Sequence, residues 1–189
     1  MGEADKSGSR LTTLREERKL TVVELAARSG VNEKELEAIE AGRLSPSIAP
    51  LVKLSRALGV RLGTLVDDAG GEGPVLCRSG HADEVMRAPG QASPYSGAMN
   101  FFSLAKGKAG RSMEPFIIDI RPGAGAEPPL STHEGEEFIY VLQGEVEVRY
   151  GTETMRLSVG DSIYYDSIVP HRVSSGAPAK AIAVIYAPF

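Results

Sequence analysis

The chain changes its pattern of apolar residues once, near residue 70. From Arg10 to about Asp67, apolar residues recur every three or four positions, the spacing of helices that bury one face. From Pro74 onward, short alternating runs are broken by glycine and proline, which is typical of antiparallel strands. Because one pattern cannot serve both structures, the sequence predicts a multidomain α + β protein, with helices first and strands second.

A Gly- and Asp-rich stretch between the two patterns predicts a flexible polar linker. We expect a disordered tail at 1–9, a helical domain at 10–67, the linker at 68–74 and a strand domain at 75–189. At 189 residues, the chain is long enough for two small domains, each with its own core.

Composition and charge narrow the class of protein. No apolar run approaches the roughly 20 residues of a membrane-spanning helix, and the polar N-terminus lacks the pattern of a signal peptide. The single cysteine, Cys77, cannot form an internal disulfide, so we expect a cytoplasmic protein with no membrane partner. The net charge is −4, and residues 1–68 hold as many acidic as basic side chains. Affinity for DNA would therefore depend on local placement of positive charge.

The helical half predicts five short helices, of which the second and third are the most informative. Thr21 followed by Glu24 is a capping box that begins the second helix, and Gly30 supplies the tight turn after it. Asn32 then caps the third helix. Two helices joined by a short turn that contains glycine form the geometry of a helix-turn-helix unit.

The residues that support this unit extend over most of the helical half. They are Thr21, Glu24-Leu25-Ala26, Gly30-Val31, Leu36, Ile39-Glu40, Gly42, Pro46-Ser47, Leu54 and Ala57-Leu58-Gly59-Val60. With these residues, the stretch 14–65 resembles the lambda-repressor-like, or XRE, family of helix-turn-helix regulators. The resemblance implies a five-helix domain whose third helix lies in the major groove of double-stranded DNA.

By position, the resemblance implies that the base-reading residues lie around the start of the third helix. They would be Asn32, Glu33, Lys34 and Glu37. Arg18 and Arg43 are among the side chains that could hold phosphates. A glutamate can accept from cytosine N4, but it also repels phosphates. Two interpretations therefore remain open: a DNA-binding domain, or a dimerisation or docking module.

The second half predicts strands at 75–78, 100–105, 115–121, 137–142, 145–150, 162–165, 172–174 and 180–187. Many short strands at near-even spacing, separated by glycine-containing turns, favour a double-sheet sandwich or jelly roll. Period-two alternation is clearest at 145–150, where valine and tyrosine alternate with charged residues.

Two of the three histidines lie in segments of this half with a distinctive pattern. The first segment, 131–144, holds His133 and Glu137 before a closing glycine, and the second, 160–171, ends on His171. These segments resemble the two motifs of the cupin family. The resemblance implies that the strands form a cupin β-barrel, a double-stranded jelly roll.

By position, the resemblance assigns metal ligands to His133, Glu137 and His171, and Ser131 stands where the family usually has a further histidine. Four positions separate His133 from Glu137, so on one strand both side chains would point to the same side. Two imidazoles and one carboxylate suit a divalent metal, Fe(II) or Zn(II).

The alternative is a metal-free pocket in which these side chains hydrogen-bond an organic effector or each other. Ser131, Tyr140 and Tyr165 are further candidates to line the pocket. Each tyrosine is also open to a purely structural role.

The leading hypothesis is a DNA-binding transcriptional regulator whose cupin domain senses a small molecule or a metal. The order of the two domains resembles bacterial regulators that join a lambda-repressor-like head to a cupin sensor. The partners would be double-stranded DNA, a small-molecule effector and a second copy of the chain, since operator half-sites match a two-fold symmetric homodimer.

The main alternative is a mononuclear non-haem metal oxygenase or epoxidase. The same domain order resembles the family of 2-hydroxypropylphosphonic acid epoxidases, which implies an iron site at the three ligand positions and a lysine corresponding to Lys19. Phe101 and Phe102 stand where that family supplies tyrosine hydroxyls. Enzyme activity stays open, with the regulator favoured. A third interpretation is a scaffold in which both sites are vestigial.

Overall fold

Helices and strands occupy separate halves of the chain. The computed structural model describes residues 6–66, 71, 73–87, 98–122 and 130–188. Within them, the helices are α1 (Lys6–Glu17), α2 (Val22–Ser29), α3 (Glu33–Glu40), α4 (Ile48–Leu58) and α5 (Leu62–Val66). The strands are β1 (Asp83–Arg87), β2 (Ala98–Ser103), β3 (Met113–Arg121), β4 (Glu136–Gln143), β5 (Val146–Tyr150), β6 (Glu153–Leu157), β7 (Ser162–Asp166), β8 (His171–Ser174) and β9 (Ala179–Tyr186). The predicted multidomain α + β class is confirmed.

The first helix begins earlier than the apolar spacing predicts. Residues 1–5 of the expected disordered tail, 1–9, lie outside the described residues, but α1 already starts at Lys6. Gly8 lies so close to α3 that a Cβ atom there would come within 2.2 Å of the Ile39 carbonyl oxygen. The extra turn of α1 therefore contacts α3, and sequence periodicity does not reveal such a contact.

Local capping interactions form the helix-turn-helix unit as predicted. The Thr21 backbone N–H donates to a Glu24 carboxylate oxygen at 2.7 Å, and the Glu24 N–H donates to the Thr21 hydroxyl at 3.2 Å. Gly30 ends α2 with φ 69°, and the Asn32 side chain accepts from the Lys34 N–H at 3.0 Å. These caps satisfy backbone groups that helix ends leave without partners, so they determine where α2 begins and ends and where α3 begins.

Apolar side chains from all five helices fill the core of the helical domain. One leucine from each helix is at most 1% exposed: Leu11, Leu25, Leu36, Leu54 and Leu65. Arg15 also joins α1 to α3 through two hydrogen bonds to the Glu40 carboxylate, at 2.7 and 2.8 Å. No helix in the described residues is both long enough and apolar enough to cross a membrane.

The strands form two antiparallel sheets, as expected for a cupin jelly roll. The larger sheet has the order β1-β2-β3-β9-β4-β7, and the smaller has the order β6-β5-β8. Alternate residues of β3, β4 and β9 are buried, so each strand turns one face toward the core. Phe116, Ile139 and Val148 are among the inward-facing residues and are at most 1% exposed. The predicted cupin fold is confirmed in these two sheets.

Three strand predictions differ from the structure. The run 75–78 is exposed coil, with Leu76 71% exposed; an apolar run becomes a strand only where a neighbouring strand supplies hydrogen bonds. The prediction omits β1 and β6, which lie at sheet edges and carry charged residues that obscure the alternation.

Part of the predicted linker, 68–74, lies outside the described residues.

The helical domain contacts the cupin domain near the first cupin motif. Arg56 of α4 forms an ion pair with Glu134. Beside the start of β3, Arg111 and Glu114 form a buried ion pair at 2.8 Å. This pair lies against Gly63 of α5, where a Cβ atom would come within 2.5 Å of the Glu114 carboxylate. One ion pair therefore joins the two domains, and a second ion pair within the cupin domain packs against α5.

Candidate functional site

Backbone hydrogen bonds join the loop before β4, which carries His133, to the start of β8, which carries His171. The Ser131 N–H donates to the His171 carbonyl oxygen at 2.7 Å, and the His171 N–H donates to the Ser131 carbonyl oxygen at 2.9 Å. The His133 N–H donates to the Ser167 carbonyl oxygen at 3.0 Å. This pairing brings His133 and His171 side by side although they are distant in the chain.

A glycine lets the first loop pass close to β9. Gly135 has φ 111°, and a Cβ atom there would lie 1.9 Å from the Tyr186 carbonyl oxygen. The Gly135 carbonyl oxygen accepts from the Ser167 N–H at 2.9 Å. Only a residue without a side chain fits this close approach, so Gly135 sets the path by which the chain enters β4 and reaches Glu137.

His133, Glu137 and His171 converge inside the cupin domain. They are 3%, 7% and 4% exposed, and their potential ligand atoms all lie within 4.8 Å of one another. His133 Nε2 lies 2.8 Å and His171 Nε2 lies 3.3 Å from the same carboxylate oxygen, Glu137 Oε1. Two imidazoles and one carboxylate therefore meet at one buried point, and we call these three side chains the triad.

The outer hydrogen bonds of the histidines determine which ring nitrogen faces the carboxylate. His133 Nδ1 donates to the Glu134 carbonyl oxygen at 3.1 Å, and His171 Nδ1 donates to that of Val169 at 2.9 Å. A carbonyl oxygen only accepts, so a neutral imidazole here carries its proton on Nδ1 and keeps a lone pair on Nε2. Two such lone pairs beside an ionised carboxylate require a proton or a metal cation among them.

The spacing of the triad atoms fits a divalent metal. Two ligand atoms bonded to one ion at 2.0–2.1 Å, with right-angled to tetrahedral geometry, lie about 2.8–3.4 Å apart. The two Nε2–Oε1 distances, 2.8 and 3.3 Å, fall in this range. Histidines that donate their other ring N–H to a carbonyl oxygen are the usual metal-binding form. The donor set suits Fe(II) and Zn(II) alike.

Electrostatics keep the Glu137 carboxylate ionised. Burial alone would raise its pKa, but hydrogen bonds from His133 and His171, with their charges, outweigh burial and hold the pKa far below its usual range. Burial lowers the pKa of His171, yet the hydrogen bond to Glu137 and its charge produce a net increase. An ionised carboxylate is the form that a metal ligand needs.

Tyr165 holds the second oxygen of the Glu137 carboxylate. Its hydroxyl donates to Oε2 at 2.7 Å, while the Ser167 hydroxyl donates to Oε1 at 3.3 Å. The Tyr165 ring packs against the rings of Tyr150 and His171, with centroids 5.4 and 5.1 Å away. Burial, followed by the charge of Glu137, raises the pKa of Tyr165, so its hydroxyl stays protonated and remains a donor.

Sequence reasoning missed Ser167 and Tyr150 at this site. Ser167 is 0% exposed, but it lies between β7 and β8, where strand alternation assigns no direction to a side chain. Tyr150 is paired with His171 across β5 and β8. That pairing becomes apparent only when the order of the strands is known.

Of the other two residues expected to line the pocket, one lies beside the triad and the other does not. Ser131 lies beside the triad through its backbone pairing with His171, and its side chain is half-buried. Tyr140, expected in the pocket, instead lies on the outer face of β4 and is 38% exposed. The reason is strand geometry: three positions separate Tyr140 from Glu137, and an odd separation puts two side chains on opposite faces.

Four predicted DNA-contacting residues lie together at the exposed face of α3. Asn32, Glu33, Lys34 and Glu37 are all exposed, on the N-cap and the first turns of the helix. Arg43 is also exposed and follows the end of α3 by three positions. This surface is therefore accessible to a large partner.

Arg18 has a different environment from the α3 surface. Its guanidinium donates to the Leu58 carbonyl oxygen through Nε and to the Leu14 carbonyl oxygen at 3.0 Å through Nη1. These bonds join the end of α1 to the end of α4. A structural role for Arg18 follows directly from them.

Two families of proteins account for most of the chain. Residues 11–65 match the family described as Helix-turn-helix, and residues 116–185 match the Cupin domain family. The chain belongs to the helix-turn-helix, or XRE, family of transcriptional regulators and carries a C-terminal cupin domain.

A transcriptional regulator and an epoxidase each match nearly the whole chain, and a further regulator matches its helical part. The HTH-type transcriptional regulator PuuR of Escherichia coli is 24% identical over 168 residues, which cover 89% of this chain and 86% of PuuR. The (S)-2-hydroxypropylphosphonic acid epoxidase of Streptomyces wedmorensis is 24% identical, with 90% of each chain covered. An uncharacterised HTH-type regulator, y4dJ, of Sinorhizobium fredii is 43% identical over 53 residues, 28% of this chain and 69% of y4dJ.

Solved structures share the complete two-domain fold. An HTH_3 family transcriptional regulator from Vibrio cholerae superposes with a TM-score of 0.66 at 21% identity, covering 98% of this chain and 97% of that one. The Fe(II) form of hydroxypropylphosphonic acid epoxidase superposes with a TM-score of 0.50 at 22% identity, covering 98% and 99%. These likenesses establish the fold.

Proposed function

We propose that the protein is a DNA-binding transcriptional regulator whose cupin domain binds a divalent metal and, through it, a small-molecule effector. Membership of the helix-turn-helix family supports the DNA-binding part. The observation that carries the sensing part is the buried triad, in which two Nε2 atoms and one carboxylate oxygen converge.

DNA recognition in this proposal uses the exposed face of α3, which enters the major groove. Lys34 and Arg43 contact phosphates or guanine, while Glu33 and Glu37 accept from cytosine N4. Because carboxylates repel phosphates, affinity for arbitrary DNA is low and binding depends on the correct bases. Arg18 takes no direct part, since its guanidinium already bonds two backbone carbonyls.

The metal in this proposal is held by His133 Nε2, Glu137 Oε1 and His171 Nε2. When bound, it supplies a Lewis-acidic centre with open positions for oxygen atoms of a small molecule. Tyr165 keeps the carboxylate turned toward the histidines through its bond to Oε2. Ser131, half-buried beside His171, offers a short hydroxyl side chain to an effector that bears oxygen.

Communication between the domains begins next to the triad. Glu134 directly follows His133 in the chain, and its carbonyl oxygen accepts from the His133 ring. The Glu134 side chain forms an ion pair with Arg56 of α4. A ligand that shifts His133 therefore shifts a residue that contacts the helical domain.

The test is DNA binding by the full-length protein with and without metal. Fluorescently labelled DNA from upstream of the gene is titrated at two salt concentrations against scrambled competitor, after chelation and after addition of Zn(II) or Fe(II). We expect competitor-resistant binding that weakens with salt and changes with metal. Lys34→Ala should weaken binding, and His171→Ala should remove the metal response while leaving the helical domain folded.

His81→Ala is the matched control, because His81 is exposed and lies outside both cupin motifs. It should retain both DNA affinity and the metal response. Binding equal to that of scrambled DNA would overturn the regulator proposal. Retention of metal by His171→Ala would overturn the triad as its site.

A metal-dependent oxygenase is the second candidate. The likeness to the epoxidase over 90% of both chains favours it, as does the two-histidine, one-carboxylate donor set. Two observations weigh against it. Lys19 is exposed in the turn after α1, and Phe101, at a position where the resemblance implies a tyrosine hydroxyl, packs edge-on against Phe116 with centroids 5.6 Å apart. Oxygen uptake with Fe(II) and 2-hydroxypropylphosphonate, lost in His171→Ala and retained in His81→Ala, would establish the enzyme.

A further inference from the structure

The outer face of the smaller sheet carries a row of two arginines and a threonine. Thr154 of β6, Arg149 of β5 and Arg172 of β8 are register partners across the three strands. Neighbouring residues on these strands turn inward, since Val148 is buried and Val173 packs against the core. The three polar side chains therefore point outward together. We call them the arginine row.

The two arginines lie directly opposite each other on neighbouring strands. Both Arg149 and Arg172 are half-buried. Side chains in such a pairing have Cβ atoms about 4.5–5.5 Å apart, and like charges there repel each other. Two guanidinium groups at this spacing can contact one oxyanion from two sides, and the negative charge of that ion offsets the repulsion. The pairing therefore suits an anion better than it suits water alone.

A backbone contact holds Arg149 in place. Its Nε–H donates to the Gly151 carbonyl oxygen at 3.1 Å, which limits rotation of the guanidinium group. The remaining N–H donors of the group are on Nη1 and Nη2. Such planar forks match the oxygen atoms of phosphate groups. The exposed Thr154 hydroxyl adds a further donor at the β6 end of the row.

The positive charge of the arginine row is a local feature. Residues 69–189 contain more acidic than basic side chains. The next row of the same face joins Arg156, Glu147 and Ser174, and the Glu147 carboxylate lies 3.6 Å from Arg156 Nε. The one carboxylate of these two rows therefore has an arginine partner in its own row.

We propose that the arginine row is a binding site for a phosphate-class oxyanion, whose oxygen atoms accept hydrogen bonds from both guanidinium groups and from the Thr154 hydroxyl. A phosphate monoester and a phosphate of the DNA backbone share this chemistry. Arg172 directly follows the triad residue His171 but points to the opposite face of β8. Because the site needs neither the metal nor DNA recognition by α3, it stands or falls separately from the proposed regulatory function.

The test is a titration of the 15N-labelled full-length protein with inorganic phosphate at constant ionic strength. NMR follows the side-chain Nε–H signals of the arginine row, and we expect saturable shifts. Arg149→Gln and Arg172→Gln should each raise the dissociation constant for phosphate at least about tenfold, as for the loss of a hydrogen bond between charged groups. Arg149→Lys should also weaken binding, since it keeps the charge but loses the planar fork.

Arg156→Gln is the matched control, because it removes the same charge from the same face at a side chain that is 72% exposed. It should bind phosphate nearly as tightly as the wild type. An equal loss in Arg156→Gln would overturn the proposal. So would shifts that do not saturate, or shifts that sodium chloride reproduces. Circular dichroism confirms that each variant is folded before it is titrated.

Competition with a DNA duplex of random sequence identifies the source of the phosphate. Displacement of inorganic phosphate from the arginine row by the duplex would assign the site to the DNA backbone. Retention of phosphate would assign it to a free phosphate or a phosphate monoester. Either result supports the site, since both require that the wild-type protein is first saturated with phosphate.

Discussion

Removing the Tyr165 hydroxyl tests whether the triad is built to hold a metal. Tyr165→Phe leaves the ring in place between Tyr150 and His171 and deletes only the donor to Glu137 Oε2. Tyr165 is 5% exposed, so water does not readily replace that donor. The variant therefore leaves an ionised carboxylate oxygen poorly solvated and free to rotate.

Two independent estimates give the size of the effect. A hydrogen bond to a charged group contributes about 1.5–3 kcal/mol. Removing a residue that orients a metal ligand typically lowers metal affinity 10–100-fold, which corresponds to about 1.4–2.8 kcal/mol. We therefore expect Tyr165→Phe to bind Zn(II) between 10 and 100 times more weakly, as an order-of-magnitude range.

The assay is competition for Zn(II) between the protein and a chromophoric chelator at fixed pH. Tyr140→Phe is the control, because the Tyr140 hydroxyl lies on the opposite face of β4; it should bind as the wild type does. Wild-type affinity in Tyr165→Phe would refute the assignment of Tyr165 as the residue that positions Glu137. Chemical unfolding in the presence of chelator then separates metal affinity from stability. In that experiment the free energy of unfolding of metal-free Tyr165→Phe should be about 2 kcal/mol lower than that of the metal-free wild type.

Three further predictions concern stability and follow from single contacts. Gly135→Ala should destabilise the cupin domain by at least about 2 kcal/mol in urea unfolding, because its Cβ meets the Tyr186 carbonyl oxygen; an unchanged midpoint would contradict this packing. Arg15→Ala should cost the helical domain about 2 kcal/mol, since it removes both bonds to the largely buried Glu40 carboxylate. Hydrogen bonding to the Thr21 backbone lowers the pKa of Glu24 from its ordinary value of about 4.5. The ionised Glu24 carboxylate therefore stabilises the folded state fully above that ordinary pKa, and this stabilisation disappears as the pH falls through the lowered pKa of the folded state. Glu24→Gln should therefore reduce stability at neutral pH and match the wild type in acid, as measured by unfolding at several pH values.

The helix-turn-helix unit was predictable because local interactions determine it. Thr21, Glu24 and Asn32 act on backbone groups within three residues of themselves, so their effect is visible in a short window of sequence. The cupin ligands were identified differently, from a motif that fixes residue types at given spacings. Their convergence depends on pairing between distant segments of the chain, which the resemblance implied and spacing alone could not establish.

What the sequence could not indicate is the environment of each side chain. Arg18 has the charge of a phosphate contact, but its position at two helix ends gives it two carbonyl partners. Tyr140 has the composition of a pocket residue, but strand alternation turns it outward. Ser167 carries no pattern at all, and it becomes recognisable only when its hydroxyl is found beside Glu137.

The contact between Arg56 and Glu134 predicts a limit on how strongly the two domains communicate through that pair. Their side chains are 55% and 41% exposed, and exposed ion pairs contribute about 0.2–1 kcal/mol, which corresponds to a change of at most about fivefold in an equilibrium constant. In a double-mutant cycle, Arg56→Ala and Glu134→Ala should each reduce the effect of metal on DNA affinity by no more than that factor, and the double variant should lose no more than either single variant. A larger loss would place Glu134 inside the metal site, and no loss would leave the buried Arg111–Glu114 pair beside α5 as the route of coupling. Glu134 directly follows a triad histidine, whereas Arg111 does not. The change in the metal effect on DNA affinity therefore distinguishes coupling that starts at the metal site from coupling that starts at the contact beside α5.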